Sequence, residues 1–219
     1  MLGGMATAKA LRPGAAEWVP ETDDIAALRS AAPACRGCEL WEPASQVVFS
    51  AGNPNARLAL VGEQPGDVED RKGIPFVGPA GKLLQAALEE AGVARDDVYV
   101  TNAVKHFRFT ERGKRRIHQT PELGHITACR PWLVAELRIV DPELTVVLGS
   151  TAAKALLGSD FRVTQHRGEL IERETTHGMR RFLPTVHPSS VLRAPGDQRD
   201  LARQELVDDL RAAAKALAH

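Results

Sequence analysis

The hydrophobic pattern of the chain switches between two periods. Leu83, Leu84, Ala87 and Leu88 recur at helical spacing and predict a helix over residues 79–91, which Gly92 stops. The runs 46–50, 57–61, 98–104 and 144–148 are of strand length, and the central ones are continuous and rich in Val and Leu, as strands buried on both faces are. Residues 23–30 predict a short amphipathic helix capped by Thr22 or Asp23. A long helix follows over 121–140, kinked at Pro131, then helices over 152–157 and 198–217. Residues 162–172 and 181–186 read as later strands. Strands alternating with helices predict an α/β fold with a largely parallel sheet covered on both faces. In such a sheet the ligand site lies beyond the carboxyl ends of the strands. The polar residues fall there: Glu63 and Gln64 follow one strand, Asn102 ends another, and His187-Pro188-Ser189-Ser190 follows a third.

A chain of 219 residues is long enough for one domain with a real core. Residues 1–16 read as a flexible leader and 17–219 as the single domain. No run approaches the roughly 18 to 20 apolar residues of a membrane span, and the leader lacks the apolar core of a signal peptide. A cytoplasmic monomer is expected. Lys plus Arg equals Asp plus Glu, at 28 each, which argues against a surface coated in basic charge but not against a local patch. Such a patch exists: between Lys105 and His118 there are six basic residues and one acid, Glu111.

Three cysteines, an odd number, argue against a disulfide framework. Cys35-Arg36-Gly37-Cys38 suits a metal knuckle better than a redox pair, because the residues after it soon run into Pro43 instead of opening a helix. Gly78-Pro79-Ala80-Gly81-Lys82 is not a phosphate-binding P-loop: Phe76 stands where that loop needs glycine, and Leu83 where it needs Ser or Thr.

Four motifs occur in order: Gly62-Glu63-Gln64-Pro65-Gly66, Phe76 to Gly81, Val100-Thr101-Asn102, and His187-Pro188-Ser189-Ser190. Together they resemble the uracil-DNA glycosylase superfamily, from about residue 34 to residue 213, and most closely its iron–sulfur branch. Gln64 and the stretch Lys114-Arg115-Arg116-Ile117-His118 resemble the UdgX type of that branch, which ends covalently attached to uracil-DNA. The resemblance implies a three-layer α/β/α sandwich around a mostly parallel four-stranded sheet. It implies a DNA glycosylase acting on uracil in single-stranded or flipped-out DNA, since a base inside a duplex is out of reach. Phe76 would stack on the base, and Asn102 would donate to O4 and accept from N3–H. His187 would bond O2 as charge develops on the leaving base. Gln64 would contact uracil or a loop. Lys114, Arg115, Arg116, Ser189 and Ser190 would hold the DNA.

His118 would be the nucleophile, kept neutral by Arg115 and Arg116, with Glu63 taking its proton. The branch holds a [4Fe–4S] cluster on four cysteines. Cys35, Cys38 and Cys129 match three of them, and His106 stands at the fourth position. A histidine can ligate iron, and the same four residues would also suit zinc. Two other readings stay open at this level: a hydrolytic glycosylase with turnover in which His118 only touches DNA, and a metal-bearing DNA-binding module without catalysis.

Overall fold

The computed structural model describes residues 12–218. Eight strands and eight α-helices appear among them. The chain runs α1 (Ile25–Ala31), β1 (Ser50–Gly52), β2 (Leu58–Gly62), α2 (Asp67–Lys72), α3 (Pro79–Glu90) and β3 (Val98–Asn102). It continues through β4 (Phe109–Arg112), β5 (Arg115–His118), α4 (Leu123–Val140), β6 (Leu144–Leu148) and α5 (Gly149–Leu157). It ends with α6 (Val163–His166), β7 (Ile171–Thr175), β8 (Gly178–Thr185), α7 (Pro188–Arg193) and α8 (Gly196–Leu217).

The main sheet has the order β1-β3-β2-β6-β8-β7. The four inner strands are parallel, and an antiparallel strand is added at each edge. The expected four-stranded core is therefore present, extended to six. Alternation along β2 separates two cores. Ala59 and Val61 face a cluster with Leu28, Trp132 and Leu133 from α1 and α4. Leu58 and Leu60 face Leu84, Leu88, Leu206 and Leu210 from α3 and α8. Helices thus cover both faces, as the continuous apolar strands require. Leu60 is fully buried, so its side chain contributes about 1.5–3 kcal/mol of transfer free energy.

Several local expectations shift. Helix α1 is capped by Asp24, which accepts from the Ala26 amide, and not by Thr22 or Asp23. Residues 163–166 are helical and pairing starts only at Ile171, so the strand expected over 162–172 is mostly not one. Residues 46–49 precede β1 and do not pair within it. Helix α4 continues through Pro131. Three features went unforeseen: α2, α7, and the β4–β5 hairpin, a separate two-stranded sheet.

The expected leader needs correcting at its end. Residues 1–11 lie outside the described residues, but 12–16 are docked. Arg12 pairs with Glu39 and Glu122. The Gly14 and Ala15 amides donate to the carbonyls of Gly37 and Ala128, and Ala15 is buried. Small residues are used here for contact: a Cβ on Gly37 would sit 2.8 Å from the Ala15 nitrogen.

Candidate active site

The carboxyl ends of β2, β3, β6 and β8 open onto a cleft of about 890 Å³. Glu63, Gln64, Phe76, Asn102, His118 and His187 all line it. At its floor, Gly62 lets two groups come close to the backbone. A Cβ there would lie 2.5 Å from Asn102 Oδ1 and 2.6 Å from Phe76 Cζ. Phe76 adopts φ 57°, a left-handed conformation costly for an aromatic residue, and its ring centroid lies 6.4 Å from that of His187. Asn102 is buried at the end of β3.

His187 caps α7. Its Nδ1 accepts from the Ser189 backbone N–H at 3.2 Å and lies 2.8 Å from Ser189 Oγ. A backbone N–H can only donate, so Nδ1 is unprotonated and the neutral ring carries its proton on Nε2. Burial holds the ring neutral, pushing its pKa down to about 4 against the opposing charge of Glu63. Ser189, expected on phosphate, is thus engaged with the His187 ring and accepts from Arg193, whereas Ser190 is exposed.

His118 ends β5 and reaches the cleft from the hairpin. Its Nε2 lies 3.1 Å from Glu63 Oε1, and Thr151 at the start of α5 donates to Glu63 Oε2. Burial alone would raise the Glu63 pKa, but the hydrogen bonds from His118 and Thr151 outweigh it and hold the carboxyl below its usual value. His118 is half exposed and packs its ring against Phe107, 6.0 Å between centroids.

The strand period explains the rest of the basic stretch. Side chains two apart share a face, so Arg116 lies on the His118 face while Arg115 lies on the other. Arg116 turns onto Asp67 and Asp70 of α2 and stacks over Phe107 and Phe109. Only 11% of its side chain is exposed, so it is a structural tie and not the outward DNA contact expected of it. Nor does its charge face His118 unopposed, since those two carboxylates neutralise it. Lys114 and Arg115 are exposed at the hairpin tip.

Of the two contacts expected for Gln64, uracil or a loop, the structure has the loop. Its amide donates to the carbonyls of Arg108 and Gln119 and accepts from the Arg108 N–H. These are the two roots of the hairpin. All three bonds go to the loop, so Gln64 clamps the hairpin at the edge of the cleft.

Behind β3 lies a network that sequence reasoning missed. Lys105 and Glu136 are both buried and paired. Tyr99 and Thr101 donate to Glu136, and Lys105 Nζ donates to the Asn102 carbonyl at 2.9 Å. No motif marked these residues, and Lys105, at the end of the apolar run 98–104, was counted with the basic patch instead.

The four proposed metal ligands do come together. Cys35, Cys38, His106 and Cys129 line one pocket with Ala15, Gly37 and Trp132. All three cysteines are free and buried. The Lys105 N–H donates to Cys129 Sγ at 3.3 Å. Burial pushes the Cys129 thiol up to about 12 and the His106 ring down to about 4. Among the described residues no group of three or more His, Cys, Asp or Glu side chains is arranged to hold a metal ion.

The chain is similar to known proteins over most of its length. The family model described as Uracil DNA glycosylase superfamily matches residues 49–211. A type-4 uracil-DNA glycosylase of Thermotoga maritima is 38% identical over 160 residues, 73% of this chain and 78% of that protein. One from Sulfurisphaera tokodaii is 34% identical over 178 residues, 79% of this chain and 78% of its own length. A type-5 uracil-DNA glycosylase of Pyrobaculum aerophilum is 30% identical over 183 residues, 75% of each chain.

Proposed function

The chain belongs to the uracil-DNA glycosylase superfamily, and on that premise we propose that it excises uracil from DNA and then holds the stripped sugar covalently through His118. The names of the relatives support excision. The capture half rests on one observation: His118 Nε2 sits 3.1 Å from Glu63 in the cleft that also holds Phe76, Asn102 and His187.

Uracil, in single-stranded DNA or flipped from a duplex, enters against Phe76. Asn102 pairs with its O4 and N3–H edge. His187, neutral and protonated on Nε2, donates to O2. That bond strengthens as the C1′–N1 bond breaks and both its electrons pass to the base, which lowers the barrier. Uracil leaves as an anion and later takes a proton from water. The oxocarbenium sugar then accepts a lone pair from a ring nitrogen of His118, and the ring's N–H proton passes to Glu63. An alkylated imidazole is a poor leaving group, so the bond persists. Lys114, Arg115 and Ser190 hold the flanking phosphates.

Cys35, Cys38, His106 and Cys129 would carry a [4Fe–4S] cluster, whose contribution when bound is structural. It would tie the loop before the hairpin to the C-x-x-C loop and α4.

A denaturing gel tests the proposal. Protein mixed with a single-stranded oligonucleotide carrying one uracil should give a slow band that survives heat and detergent. His118→Ala should abolish that band and leave excision in place. Free abasic DNA with turnover would show a hydrolytic enzyme instead, and a crosslinking His118→Ala would show another nucleophile.

A further inference from the structure

Helix α5 begins where β6 reaches the cleft, and its first turn supplies Thr151, which is 3% exposed. Too buried to meet DNA, it instead donates its hydroxyl hydrogen to Glu63 Oε2. The other oxygen, Oε1, faces His118 Nε2 at 3.1 Å. A carboxylate rotates about its last bond, so fixing one oxygen aims the other. The arrangement His118–Glu63–Thr151 has the form of nucleophile, base and orienter.

We propose that Thr151 is a positioning residue for covalent capture, holding Glu63 so that it faces His118 ready to take the ring proton. This rests on the reading that His118 is the nucleophile. Two titratable groups face Glu63: His118 from β5 and His187 from the segment after β8. The group that α5 contributes is neutral. A hydroxyl stabilises the ionised carboxylate without adding a positive charge, which would weaken Glu63 as a base for the His118 proton.

The test uses Thr151→Val, which removes the hydroxyl at nearly constant volume, and Thr151→Ser, which keeps it. The rate of adduct formation on a single-stranded oligonucleotide with one uracil is measured under single-turnover conditions across pH. A hydrogen bond to a charged group sets the expected loss at roughly ten- to a hundredfold for Thr151→Val at neutral pH. Its acid limb should also move to higher pH. Thr151→Ser should stay close to wild type. Wild-type rate and limb in Thr151→Val would overturn the proposal, as would equal losses in both variants.

A carbon-13 titration of the Glu63 carboxyl in the free protein separates this from the capture reading. If wild type forms no adduct, capture falls, and Thr151 is judged by that titration. An upward shift in Thr151→Val supports its hold on Glu63, and no shift overturns it.

Discussion

Gln64→Leu should free the hairpin that carries His118. The wild-type amide makes three hydrogen bonds to the hairpin roots. Leucine fills similar space and makes none. The Arg108 carbonyl keeps a partner, because the Gln119 N–H donates to it at 2.9 Å. The Arg108 N–H and the Gln119 carbonyl do not. Each is part-buried and reachable by water once the hairpin moves, so each loss costs about 1 kcal/mol, about 2 kcal/mol together. Local opening of the hairpin should rise roughly 30-fold. An isolated two-stranded hairpin is marginal in water, so this loss matters. Hydrogen exchange of residues 109–118 reads the opening directly, and a single-turnover gel reads adduct and excision separately. Exchange should accelerate and adduct formation slow, with excision nearly unchanged, because Phe76, Asn102 and His187 do not depend on Gln64. Unchanged exchange in this segment would refute the clamp. Equal losses in excision and capture would show that Gln64 serves the uracil pocket after all.

Three further outcomes are expected. Cys129→Ser should lower both iron and acid-labile sulfide in the purified protein, measured by elemental analysis; a preparation holding zinc in place of iron would exclude the cluster. Lys105→Met strands the Glu136 charge among apolar groups, which costs about 3–5 kcal/mol and should lower the melting temperature by roughly 6–20 °C; restoring most of that loss with Glu136→Leu in the same chain would confirm the pair. The His187 pKa lies near 4 in the fold and near 6.5 in the unfolded chain, so the unfolded state binds the extra proton between those values. The stability it contributes is complete above pH 6.5 and declines as pH falls toward 4. Denaturant melts should show this decline, smaller in His187→Gln, and excision should show no acid limb near 6.5 due to His187.

The fold was legible because its signals are local and repeated. Continuous apolar runs such as 58–61 and 144–148 announce strands buried on both faces, and Leu84 and Leu88 announce the helix that covers one of them. The cleft was legible because a parallel sheet gathers its strand ends at one edge. The hairpin was harder to see. Phe109-Thr110-Glu111-Arg112 and Arg115-Arg116-Ile117-His118 have few apolar residues, so charge dominated the reading. Read with period two, the same residues separate Arg115 from Arg116, and the inward fate of Arg116 follows once an acidic helix is known to lie beneath it. That helix, α2, was itself too short and polar to announce. Thr151 and Glu136 could not be found in the sequence at all, because their partners lie 88 and 31 or more positions away.

The proposed role of His118 as nucleophile would explain why so many side chains serve one loop. Proton transfer and attack on C1′ require His118 within a fraction of an ångström of its working position. A two-stranded hairpin outside the main sheet cannot supply that rigidity alone. Three ties supply it from different directions. Gln64 grips the roots, Arg116 fastens the inner face to Asp67 and Asp70, and Arg108 reaches Thr120 and Glu122 at the entry to α4. Asp70 also accepts from the Ser45 amide, so the Arg116 tie continues into the loop after the C-x-x-C pair. The polar bonds of these three ties go to the hairpin, α2 and the entry to α4, and not to Phe76, Asn102 or His187. In the proposed mechanism, uracil recognition belongs to the strand ends and the loop carrying Phe76, and capture to a separately fastened element. Loosening that element should convert a capturing enzyme toward one that excises and lets go, whereas damage at the sheet edge should abolish both steps.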